Sequence, residues 1–129
     1  MTPVEPGRVF REAWVSGVRS HYPGEPKPGY VAPWEDTPDW ERASATAVFE
    51  QVQAFVIATN SNTVKLTREQ KGRFVALCWI GQIFRHIEDP KPSYVADWDD
   101  LPQWKKDTDS DIFERIESEV AAEVPGTDI

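Results

Sequence analysis

Two short stretches of the chain carry the residue types that could hold a ligand. Lys27, Tyr30 and Trp34 fall in the first, and Lys91, Tyr94 and Trp98 recur in the second at the same spacing. Each lysine lies between two prolines, Pro26 and Pro28 or Pro90 and Pro92, so its backbone is stiff and close to polyproline II. Aromatic faces stack on flat heterocycles, and a fixed cation beside them holds a phosphate. Arg11, Arg19 and Arg85 add forked donors suited to the same anion. Together these residues predict a site for an anionic, base-containing small molecule. The competing reading is packing: the tryptophans plug helix junctions as hydrophobic staples do, and the prolines form surface turns.

Other residue groups have simpler explanations. Lys65, Arg68, Lys71 and Arg73 cluster where a helix should begin, which is unfavourable for the helix dipole. They need an anion, supplied either by a ligand or by the acidic run Asp107, Asp109, Asp111, Glu114, Glu117 and Glu119; the intramolecular match is the simpler account. His21 and His86 fall at expected helix C-termini, where the dipole favours them, and no third metal ligand accompanies His86, Glu88 and Asp89. Cys78 lies in an apolar run without a histidine partner, the setting of an inert buried thiol. The acidic pairs Glu35/Asp36 and Asp99/Asp100 precede prolines at helix starts and read as capping groups. No glycine-rich phosphate loop, nucleophile elbow or zinc-protease motif occurs. The sequence therefore predicts a non-enzymatic protein without cofactor or metal.

Composition narrows the class further. The 129 residues include 14 Lys and Arg against 22 Asp and Glu, a net charge of −8 that argues against broad binding to a phosphate backbone. With 40% hydrophobic and 28% charged residues the chain should be globular. A single cysteine excludes an internal disulfide framework. The most apolar stretch, Phe74 to Ile80, is too short to span a bilayer, and residues 1–7 lack the features of a cleaved leader. The expectation is a cytoplasmic protein.

The elements that must position these residues come in two sets. Residues 26–53 return as 90–117 with an offset of 64, and 12 of the 28 positions are identical, against roughly one in sixteen by chance. The same offset pairs Phe10 with Phe74 and Gly17 with Gly81. Each copy predicts a helix, a proline-rich extended loop and a second helix. The helices are expected near 8–20, 38–59, 67–87 and 102–122. Apolar spacing supports each of them, and Thr67 to Gln70 reads as a capping box. Thr37 or Asp36 is the expected N-cap of the second helix. The third has apolar residues on more than one face and is expected at the centre. The predicted fold is mainly α, one domain of two duplicated helix–loop–helix units (8–59 and 67–122) about a pseudo-twofold axis, with flexible tails at 1–7 and 123–129.

At the duplicated loop the sequence resembles the ryanodine-receptor repeat family, whose members carry a Pro-x-Leu-Val-Pro-Tyr-x-x-Leu stretch before a charged helix. The copies here run from Pro28 to Thr37 and from Pro92 to Leu101. Tyrosine replaces the leucine, tryptophan replaces the tyrosine, and one residue is inserted after the valine. The first copy lacks the final leucine and the second lacks the second proline. The run Trp98-Asp99-Asp100-Leu101-Pro102 is also similar to helix starts in small helical proteins of actinobacteria and their phages. These resemblances imply a paired-helix module that senses or sequesters a nucleotide-derived ligand in a phage or bacterial conflict setting. The alternative from the residues themselves is an acidic protein-interaction module, with exposed apolar surface able to support a homodimer.

Overall fold

A computed structural model describes residues 5–123. It contains four α-helices: α1 (Pro6–His21), α2 (Asp39–Ala58), α3 (Arg68–His86) and α4 (Gln103–Glu123), with no strand among the described residues. Short 3-10 turns at Pro28–Tyr30 and Trp34–Asp36 shape the first proline-rich loop, and turns at Pro92–Val95 and Trp98–Asp100 shape the second. A further turn, Asn62–Lys65, joins the halves after two left-handed residues, Asn60 and Ser61.

Local chemistry sets the helix limits. Pro6 opens α1 where a missing amide proton costs nothing, and Arg19 and His21 lie at its negative end. This start takes Pro6 and Gly7, both assigned to a flexible tail by the sequence, into ordered helix, and Gly7 is buried. Glu123, also assigned to a tail, closes α4, while residues 1–4 and 124–129 of the expected tails lie outside the described residues. The capping box of α3 is present in both directions, Thr67 to Gln70 and back. That of α2 is not as expected: the N-cap is Pro38, with no side-chain cap. Thr37 instead donates its hydroxyl to the Pro33 carbonyl and closes the preceding turn.

The core is built on α4. Ile112, Phe113, Ile116 and Val120 are fully buried against Val9, Phe10 and Ala13 of α1, Val48, Phe49, Val52 and Val56 of α2 and Val75 of α3. Phe113 stands edge-on to Phe55 and Phe74, which stack on each other at 4.7 Å. Burying each such side chain is worth ~1.5–3 kcal/mol. The expectation that α3 is central is therefore corrected. Helix α3 packs on α4 along one side only, while Leu77 (70% exposed) and Phe84 (58%) of its broad apolar surface face solvent.

Several contacts occur twice. A side chain on Gly7 would strike the Trp34 indole and Thr46; one on Gly72 would strike Trp98 and Ser110. Arg8 pairs with Glu35 at 2.6 Å and Arg73 with Asp99 at 3.2 Å. Arg42 lies over Trp34 and Lys106 over Trp98. Trp14 meets Trp104, and Trp79 meets Trp40. These matches keep the offset of 64 in the loops but set it at 65 between α1 and α3 (72 − 7, 73 − 8, 79 − 14). Phe10 thus corresponds to Val75 and Gly17 to Gln82, not to Phe74 and Gly81, and His21 corresponds to His86.

The two cross-packings are unequal. Gly17 lets α1 approach Thr108 of α4 closely, and His21 Nε2 reaches Asp111 at 2.8 Å. At the corresponding place α3 carries the larger Gln82, and α3 touches α2 more sparsely than α1 touches α4. We attribute the wider junction to that bulk.

Candidate functional site

The first loop is fastened to α1 by Trp14 and by Arg11, whose guanidinium, expected to face a ligand phosphate, instead holds the loop backbone. Arg11, buried, donates from Nε to the Ala32 carbonyl at 3.0 Å and from Nη2 to the Gly29 carbonyl at 2.9 Å. Trp14 Nε1 donates to the Tyr30 carbonyl at 2.8 Å. Burial pushes the Arg11 pKa down from its ordinary value, with Glu41 acting in the opposite sense. Among the expected ligand residues of this loop, Trp34 is a wedge: it is 7% exposed, its Nε1 donates to Glu5 at 2.8 Å, and Arg42 covers its ring. Tyr30 packs into a cluster with Trp14, Tyr22 and Trp104, with Lys27 over its ring. Both aromatic rings of this loop are thus engaged within the chain.

The second loop is more open. Ala76 stands where Arg11 stands in the first half, so the backbone carbonyls around Tyr94 lack the guanidinium donor that Arg11 gives those around Tyr30. Tyr94 is 51% exposed, with Lys91 over its ring. Trp98 is half-buried, and both Arg73 and Lys106 lie over it.

Two grooves run along the surface. The first, about 600 Å³, lies between α1 and the first loop and includes Arg8, Arg11, Arg19, Ser16 and the edge of Trp34. Arg8 and Arg11 already face Glu35 and Glu41 there. The second groove, about 400 Å³, occupies the wide α2–α3 junction and includes Arg42, Glu50, Gln82, Arg85 and His86. Gln82 is 9% exposed, and its Oε1 is buried without a hydrogen-bond partner. Arg19 and Trp34 thus share one groove and Arg85 lines the other. Lys27, Tyr30, Lys91, Tyr94 and Trp98 line neither.

Two members of the basic cluster at the start of α3, Arg68 and Lys71, are matched by α4, and Arg73 turns to Glu69 and Asp99 instead. Arg68 bridges Asp111 and Glu114. Lys71, 5% exposed, reaches Glu117 at 2.9 Å and Glu114 at 3.5 Å. The acidic face of α4 is therefore largely occupied by its own chain. Its one fully buried carboxylate, Asp109, accepts twice from Lys105 at 2.7 Å. Burial raises the Asp109 pKa more than the nearby ammonium lowers it.

Cys78 is half-buried on α3, and burial pushes its pKa up to about 11. The neutral thiol dominates near neutrality, so alkylation by iodoacetamide at pH 8 should be slow in the native protein and fast in denaturant. Rapid native alkylation would contradict this placement. Because the folded pKa lies above the unfolded one, any stability held in this thiol is lost as pH rises from about 9 towards 11.

One surface was not anticipated. Arg73, Leu77, Ile80, Gly81 and Phe84 follow helical spacing along one side of α3, and all but the half-buried Ile80 are exposed. In the 65-residue register, the α1 positions matching Leu77, Gly81 and Phe84 are Glu12, Ser16 and Arg19. That contrast between the halves was the available signal, hidden by the offset of 64. Among the described residues no group of three or more His, Cys, Asp or Glu is placed to hold a metal, and no helix is long and apolar enough to cross a membrane. No family model, curated protein or solved structure matches the chain.

Proposed function

We propose that this protein is a non-enzymatic binding module that docks a protein partner through the outer face of α3. The observation that carries this reading is the exposure of Leu77 and Phe84 at the solvent-facing apex of a helix whose opposite side is packed. Large apolar side chains in line on a surface mark an interaction site. The acidic face of α4, the other candidate for a partner surface, is engaged by Arg68, Lys71 and His21. The twice-occurring contacts support a scaffold of two related helix–loop–helix units about an approximate twofold axis, in which only the second unit bears the apolar face.

The test is affinity capture with the wild-type chain and with the Leu77→Asp/Phe84→Asp variant, after circular dichroism has shown that both fold. Proteins held by the first and released by the second are expected. Equal capture by both baits would remove α3 from the function.

A second reading, sequestration of an anionic base-containing ligand, is favoured by the α2–α3 groove. There Arg42, Arg85 and His86 line the groove and offer donors to an anion. The likeness of the loops to ryanodine-receptor repeats points the same way. A panel of cellular nucleotides in a thermal-shift assay decides it: a stabilisation lost in Arg85→Ala supports this reading, and no shift at millimolar ligand removes it.

A further inference from the structure

The α1–α4 and α2–α3 junctions are related by the duplication, yet their charges are opposite. We infer that the α2–α3 groove binds a small organic carboxylate, which stands where the Asp111 side chain stands in the α1–α4 junction; the inference rests on the anionic-ligand reading of that groove and is independent of the outer face of α3. In the α1–α4 junction His21 Nε2 meets the Asp111 carboxylate at 2.8 Å, and Asp107 lies one turn earlier on α4. With offsets of 65 for α3 and 64 for α2, His21 corresponds to His86, Ser20 to Arg85, Asp107 to Ala43 and Asp111 to Ala47. The second junction thus keeps the imidazole, gains a guanidinium and carries methyl groups in place of both carboxylates. Ala43, Ala47, Arg85 and His86 all line the same groove of about 400 Å³.

The walls of the groove suit such a ligand. Arg42 is already held in position: its Nε donates to the Thr37 carbonyl at 3.0 Å and its Nη2 to the Glu35 carbonyl at 2.6 Å. Arg85 and His86 are exposed and enter no ion pair among the described residues. A planar guanidinium matches the two oxygens of a carboxylate, and the imidazole supplies the contact that His21 makes with Asp111. Glu50 is the one carboxylate on these walls, and the two guanidiniums outweigh it even when His86 is neutral. It also disfavours a second anionic group on the ligand. The methyl groups of Ala43 and Ala47 leave an apolar surface for the organic body. The volume lies at the lower end of the ~300–1,000 Å³ usual for small-molecule sites, which suits a short acid.

Titration of propionate and benzoate into the isotope-labelled full chain, followed by NMR, tests the proposal, with inorganic phosphate and adenosine monophosphate as comparison anions. At least one carboxylate should saturate with a Kd of about 1 mM or below, the scale for ligands of so few atoms. The largest shifts should fall at Ala43, Ala47, Arg85 and His86. Arg85→Ala should weaken binding about tenfold or more. Ala47→Asp supplies the carboxylate from the chain itself, so it should abolish binding and raise the melting temperature by a few degrees. Ala47→Asn, alike in size and uncharged, should raise it less. If Ala47→Asp does not fold, Arg85→Ala decides alone. No carboxylate saturating below about 10 mM overturns the proposal, as does binding indifferent to Arg85→Ala. A folded Ala47→Asp that binds as the wild type does overturns the correspondence with Asp111. Phosphate or the nucleotide binding in the groove more tightly than either carboxylate overturns the carboxylate and sustains the anionic-ligand reading. Binding by none of the four anions overturns both.

Discussion

Lys71→Met should destabilise the folded chain by about 3–5 kcal/mol, the usual cost of removing one partner from a buried ion pair. The Lys71 side chain is 7% exposed and that of Glu117 10%, and their charged atoms are 2.9 Å apart. Glu117 Oε2 already has no hydrogen-bond partner, so without the ammonium neither carboxylate oxygen would be satisfied. Arg68 does not compensate, because it bridges Asp111 and Glu114. Methionine keeps the length and apolar stem of lysine, which isolates the charge from the packing against Phe113. Urea denaturation of Lys71→Met, Glu117→Leu and the double variant measures the coupling. The double variant should recover most of the loss, since an apolar pair of similar volume suits the site. A single variant within about 1 kcal/mol of the wild type would show that the pair is hydrated in solution.

Gly7→Ala should cost about 1–3 kcal/mol, even though alanine is favoured over glycine by ~1 kcal/mol inside a helix. The added methyl would run into the Thr46 hydroxyl and the Trp34 ring, and the Thr46 backbone lies only 3.2 Å away. Trp34 has little room to withdraw, being 7% exposed and bonded to Glu5. Gly72→Ala meets Trp98 in the matching way, but that indole is half-buried and can move outward, so the loss should be smaller. Gly81→Ala is the control: it faces open space and should raise monomer stability by up to ~1 kcal/mol. Thermal melts at low protein concentration rank the three. If Gly7→Ala melted above the wild type, the Trp34 wedge would not be as tight as described.

The helices were legible because periodic apolar residues and proline punctuation act locally. Val48, Val52 and Val56 announce α2, and Thr67 with Gln70 announces the start of α3. The match of Arg68 and Lys71 with α4 was also foreseeable, since cations at a helix start need anions. Depth was harder to read. Leu77 and Phe84 belong to the same apolar run as Val75 and Ile83, and a step of one or two residues, about 100° of rotation each, separates burial from exposure. The aromatic loop residues looked alike in sequence, yet Trp34 is buried and Tyr94 is exposed. What separates them is Arg11, which secures one loop and has Ala76 as its counterpart in the other. Such a difference depends on a helix residue distant in sequence, and an unrecognised one-residue shift between loop and helix registers conceals it.

That shift and that missing guanidinium have a joint consequence. The segment around Tyr94 carries fewer ties to the body of the molecule than its twin around Tyr30, so spontaneous local opening should begin there. A repeated sequence with unequal fastening leaves the weaker member freer to drift. Insertions, tags or altered specificities grafted between 88 and 97 should be tolerated where the same changes between 23 and 33 would unseat α1.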